Sequence, residues 1–225
     1  MTFKNFNKLF GFSALLIVII LAIGIIHFNK LTEKTEIIID DIIPLKTESE
    51  LILDSDLIVS GTVNEIKASK WSNPHFQRGK NIRNILQTDI VIFVEEVLSG
   101  ELSEKTVTVR IDKGEDSKTI VHSDGYPDFT IGENVLLFLS RDDSDVATNE
   151  NYYVLTGMKF GKYILKPNSE ETSLNKTYSN EKQELAIDYL KQKIKQEKNS
   201  NPDYKKEKTI RQEEIRKNNV ELFGE

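Results

Sequence analysis

Twenty consecutive residues without a formal charge, Leu9 to Phe28, constrain this chain more than any other feature. As a helix rising 1.5 Å per residue, the segment spans about 30 Å, the thickness of a bilayer's hydrocarbon core. No face of it is polar, so it does not read as the stripe of a buried core helix. Lys4 and Lys8 precede it, while Lys30 and Lys34 after it are offset by Glu33, Glu36, Asp40 and Asp41. The expectation is a single-pass membrane anchor at 9–28. The arm 1–8 stays inside and the C-terminal domain lies outside the cytoplasm. Ala22-Ile23-Gly24 has the small-x-small pattern of a cleaved signal peptide, but Ile25 to Phe28 carry the hydrophobic run past it, which suits a retained anchor.

The remainder of the chain has room for one domain of ordinary size, large enough to bury its own core. Cysteine is absent, which excludes a thiol nucleophile, a thiolate metal site and a disulfide framework. Residues 31–179 carry 26 acidic against 16 basic side chains. Affinity for phosphate backbones comes mainly from Lys and Arg, so this acidic middle argues against nucleic acid as a partner.

Residues 29–46 read as a stalk. Thr47 to Asp56 has the signature of a short helix, with Thr47 as N-cap and Glu50 completing a capping box. Strands then dominate: Leu57–Ile66 with a bulge or bend at Gly61, Thr88–Val97, a turn at Ser99-Gly100, and Thr106–Asp112. The last alternates so that Val107, Val109 and Ile111 share one face. Further strands are expected at Lys118–His122, Asn134–Leu139, Tyr152–Thr156 and Lys159–Leu165. Short strands at near-regular spacing, with no crossover helix between them, predict an all-β fold, a small antiparallel barrel or sandwich at 47–166. After a linker at 167–179, residues 180–199 predict an amphipathic helix with Leu185, Ala186, Tyr189, Leu190 and Ile194 on one stripe. A charged tail occupies 200–225.

Four segments carry a resemblance: Asp56–Val63, Val94–Glu101 leading into Thr106–Ile111, Phe129–Leu139 and Tyr153–Ile164. Together they resemble a loose group of secreted or membrane-anchored bacterial domains with an OB-like barrel, similar in outline to the netrin-like (tissue-inhibitor-like) fold. The resemblance covers residues 50–166 and consists of core and turn positions, so it implies a fold and no functional residues. Inhibitory netrin-like members act through an N-terminal cysteine and disulfides, which this chain lacks. The abundance of Ile, Lys and Asn is similar to that of proteins from AT-rich Gram-positive bacteria.

Candidate chemistry is sparse. His27, His75 and His122 lack the i, i+4 spacing of a helical zinc pair, and no metal or other cofactor is expected. Asp143, Asp145 and Glu150 are oxygen ligands of the kind calcium favours, but Ala147 and Thr148 interrupt the loop pattern such a site needs. Glu95 and Glu96 point to opposite sides of one strand and cannot form a carboxylate pair. Ser123 and His122 beside Asp124 and Asp128 sit in a turn marked by Gly125 and Pro127; local clustering does not make a triad.

The stretch 67–87 is different. It holds Lys67, Lys70, Arg78, Lys80 and Arg83 with no acid, and Trp71, His75 and Phe76 among them. In an OB-type barrel the loop after the first strand borders the binding face, where cations interleaved with aromatics suit stacking and anionic ligands. The bland reading is a surface loop whose aromatics fold back onto the barrel. Trp71, His75, Phe76, Arg78, Lys80 and Arg83 are the expected binding residues, for an envelope protein, a peptide or an anionic polymer. The sequence thus predicts a non-enzymatic, membrane-anchored interaction domain of the cell envelope. The alternatives are an envelope hydrolase using carboxylates, with Asp124 and Asp128 as candidates, and an accessory subunit of a membrane complex.

Overall fold

A computed structural model describes residues 34–41, 43, 45–165 and 180–204, together with 206, 208–210, 213 and 217. The apolar segment 9–28 and the linker 167–179 lie outside the described residues. Among the described residues no helix is long and apolar enough to cross a membrane.

Five strands close into a small barrel: β2 (Leu57–Ile66), β4 (Leu86–Ser99), β5 (Thr106–Ile111), β9 (Tyr153–Leu155) and β8 (Asn134–Ser140), the last pairing back onto β2. All neighbours are antiparallel except β5 and β9, joined in parallel through Val109↔Tyr153 and Arg110↔Val154. This order, with its single parallel closure, is compatible with an OB-like fold. Alternation puts Val59, Val63, Ile90, Ile92, Val107, Val109, Ile111, Val135 and Leu137 inside, where they form one buried cluster. Gly61 lies at a register shift between β2 and β4, and a Cβ there would stand 2.2 Å from the Phe93 carbonyl oxygen. The bend predicted at Gly61 is therefore a close backbone approach that only glycine permits.

A second core lies outside the barrel wall. Helix α1 (Glu48–Asp54) begins at Thr47, whose hydroxyl accepts from the Glu50 N–H at 3.2 Å while the Glu50 carboxylate accepts from the Thr47 N–H at 2.7 Å. Its Leu51 and Ile52 pack with Ile58, Leu136 and Phe138, and with Leu190 and Ile194 of helix α2 (Asn180–Ser200). Lys193 pairs with Glu48 at 2.9 Å and Ser49 donates to Glu197 at 2.6 Å, so α2 belongs to the domain. Tyr189 does not join the buried stripe: it is 57 % exposed.

Five strands depart from the sequence reading. Thr35–Ile39, expected within the stalk, forms β1 and pairs in parallel with β7 (Thr119–Ser123). With β6 (Gly114–Glu115), β7 and β1 make a separate three-stranded sheet, order β1-β7-β6, rather than joining the barrel. Residues 159–165 begin in a 3-10 turn, Met158–Gly161, leaving only Lys162–Ile164 as β10, added outside β8. Strand β3 (Lys70–Trp71) extends the edge of β4.

Candidate functional site

The loop between the first two barrel strands, residues 67–85, meets the loop between the last two, residues 141–152, over the outer wall of β4 and β5. On that wall Arg110 alternates away from the barrel interior and is 2 % exposed. Its guanidinium donates to both Asp89 carboxylate oxygens, at 2.6 and 2.9 Å, and to Glu150 at 2.5 Å, and stacks over the Tyr152 ring at 3.8 Å. Lys70 completes the network, 2.9 Å from Glu150 and 3.4 Å from Asp89. Hydrogen bonds from Arg110 and Lys70 bring Glu150 down to about 2. Burial pulls Asp89 up, but Arg110 and Lys70 outweigh it and leave that carboxyl below its usual range. Two buried or half-buried acids thus hold one buried arginine, an arrangement stable only while every partner is present.

The expected binding residues divide into two groups. Arg78 donates to the Val146 carbonyl at 2.8 Å and the Ala147 carbonyl at 2.5 Å; Arg83 clasps Asp145 through Nε and Nη2, with bonds of 2.5 to 3.0 Å. Trp71 Nε1 donates to Asp116 Oδ2 at 2.9 Å. These three tie the loop to its surroundings. His75, Phe76 and Lys80 face solvent instead, with Phe76 51 % exposed.

The tip that carries them is built from Asn73, which is fully buried. Its amide donates to the Gly79 and Ile82 carbonyls, each at 2.9 Å, and its side-chain oxygen accepts from the Arg78 N–H at 2.8 Å. Asn84 Oδ1 accepts from the Asn73 N–H at 3.0 Å. Around this peg the chain makes a 3-10 turn, Pro74–Phe76, in which His75 and Phe76 take left-handed φ values of 55° and 54°. That conformation costs a non-glycine residue about 1–2 kcal/mol. Two in succession, both exposed, amount to a strained element held by a saturated base.

The other candidates fare differently. Asp124 accepts from the Asp41 N–H at 2.9 Å, and Asp128, 97 % exposed, pairs with Lys113 at 2.6 Å, which holds its carboxyl low. Both border the open groove beside β1 and β7, and Asp128 is kept as an anion in water there. Among the described residues no three His, Cys, Asp or Glu side chains are placed to hold a metal ion. Asp145 and Glu150 are engaged by arginines.

Sequence reasoning did not single out Asp112. It lies where β5 ends, in a cavity of about 510 Å³ that Tyr126, Asp142, Asp143 and Arg83 also line. Gln87 Nε2 donates to it at 2.7 Å and the Tyr126 hydroxyl at 3.3 Å. Burial, with the Asp142 charge nearby, pushes the Asp112 carboxyl above its ordinary range, and burial together with the Asp112 charge raises the Tyr126 phenol. In sequence Asp112 is the last residue of an alternating strand, and nothing local marks it; folding brings Tyr126 and Asp142 to it.

Comparison with protein-family models and with curated proteins finds no match for the chain.

Proposed function

We propose that this chain is a membrane-anchored, extracytoplasmic interaction module of a bacterial cell envelope that docks a partner protein through the tip of loop 67–85. One observation carries the reading: Phe76 and His75 are presented in strained left-handed conformations at an exposed tip whose base is fully hydrogen-bonded. Strain of this kind survives when the surroundings over-determine it, and it recurs where a chain must present a side chain in one pose. A rigid aromatic loses little conformational entropy on burial in a partner's recess, which makes it an effective anchor. The engagement of Arg78 and Arg83 within the domain favours an apolar protein contact over an anionic polymer, because Lys80 is the cation left beside Phe76. The apolar segment 9–28 supports the anchor and, with the lysines before it, the orientation. The OB-like strand order supports the netrin-like resemblance at the level of fold.

A photo-crosslinking residue at position 76 of the full-length chain, activated in cells, tests the reading. A discrete, saturable adduct from position 76 and none from the more exposed Ile131 is expected, with F76A weakening binding to the identified partner about tenfold or more. Equal labelling from both positions, or none from 76, sinks it.

A carboxylate hydrolase of the envelope is the second reading. It draws on Asp112, a desolvated acid in a cavity, rather than on Asp124 and Asp128.

A further inference from the structure

Strand β1 has one satisfied edge and one open edge. The Thr35 N–H donates to the Lys118 carbonyl at 2.8 Å, so Thr35 turns its backbone groups toward β7. Alternate residues of a strand point their N–H and C=O to opposite sides; Ile37 and Ile39 therefore also face β7, and Glu36 and Ile38 face away. In the order β1-β7-β6 no strand lies on that outer side among the described residues. The side chains are open as well. Ile38 is 74 % exposed and Ile37, on the opposite face, 39 %. Proteins protect such edges with charge, proline or a bulge, and here the strand reads Thr-Glu-Ile-Ile-Ile.

We infer that a second copy of this chain adds to the β1 edge, antiparallel, about a twofold axis through Ile37. Backbone parity and charge together select this register. Antiparallel partners exchange hydrogen bonds only between residues whose backbone groups face each other, which here requires Glu36 and Ile38 of one copy to meet Glu36 or Ile38 of the other. Centring the axis on Glu36 sets two glutamates face to face. Centring it on Ile38 places Glu36 of each copy opposite Asp40 of its mate, a double repulsion. With the axis at Ile37, Glu36 pairs with Ile38 twice, Thr35 lies opposite Ile39, and Lys34 lies opposite Asp40 at both ends, a complementary pair. A twofold, self-complementary edge of this kind closes on itself and does not propagate. The inference stands on β1 alone and is independent of the loop tip.

The absence of cysteine makes the test clean. The two Ile37 residues form a non-hydrogen-bonded pair with Cα atoms about 4.5 Å apart, within disulfide reach. Full-length chain carrying I37C is oxidised with copper phenanthroline in whichever cell fraction holds it, beside I131C as a more exposed control. A disulfide-linked dimer from I37C and none from I131C is expected. E36C and I38C co-expressed should cross-link to each other and far less when expressed singly, which reports the register. Failure of I37C to link overturns the inference, as does linkage of I37C and I131C at the same rate. A dimer in which E36C or I38C links best to itself overturns the register.

Discussion

Loop 67–85 and strand β1 are both additions to the barrel, and they are finished in opposite ways. In the loop the groups that form its base are engaged: Asn73 by three carbonyl or amide partners, Arg78 by two carbonyls, Arg83 by Asp145. What remains open is side chain, Phe76 and His75 with Lys80 nearby. In β1 the side chains are simple and half of the backbone has no partner strand among the described residues. The first kind of surface recognises by shape and pose; the second recognises by hydrogen-bond ladder and is satisfied by any strand of compatible register. One chain thus carries a selective surface and a permissive one, and the permissive one is restrained by the charges at its ends.

The sharpest way to break the comparison is to remove the support beneath the loop. Arg110→Ala leaves buried Asp89 with only Lys70, 3.4 Å away, and is expected to cost about 4 kcal/mol, read by chemical denaturation with Trp71 fluorescence. The loss should fall on loops 67–85 and 141–152 together, since Glu150 and Tyr152 both rest on Arg110. Next comes Asn73→Ala, which removes a fully buried side chain and orphans two carbonyls and an N–H around it, and should cost about 3 kcal/mol by the same measurement. His75→Gly runs the other way. Glycine tolerates a φ of 55°, so relief of strain outweighs the added freedom of the unfolded chain and raises stability by about 0.5–1 kcal/mol while weakening partner binding. A variant that gains both stability and affinity would show that strain does not set the pose of the tip.

The smallest effect concerns pH. Glu150 titrates near 2 in the folded chain against an ordinary 4.5, so its contribution is complete above about pH 4.5 and is lost as pH falls toward 2. Wild type should therefore exceed Glu150→Gln in melting temperature by a constant margin at pH 5–7, and the margin should close between pH 4.5 and 2. Glu150 is half exposed, so solvent screening keeps that margin small.

Much of the barrel was legible in sequence because its signals are local. Strict alternation in Thr106–Ile111, the buried run Asn134–Leu139 and the capping box at Thr47 each dictate their own geometry through backbone periodicity and side-chain hydrogen bonds. Strand β1 was hidden because a strand is defined by its partner, and β7 lies more than eighty residues away. The candidate site divides along the same line. That loop 67–85 is basic, acid-free and aromatic is a property of the sequence. Which of its cations are engaged was decided by loop 141–152, whose carbonyls and Asp145 claim Arg78 and Arg83.

By itself, then, the sequence determined the long uncharged apolar segment, the β-rich domain with its alternating interior, the capped helix before it, the helical segment after it, and the lack of any thiol chemistry. Each of these depends on the order of residue types along the chain. Only the tertiary structure decided that the barrel closes through a parallel pair, that two arginines of the basic loop are engaged by loop 141–152 while Phe76 is not, that Asp112 is desolvated, and that β1 has an edge with no partner strand among the described residues. The physical reason is the same for all four: the energy of a charge, a ring or a backbone amide depends on what stands beside it. Those neighbours come from parts of the chain that only folding brings together.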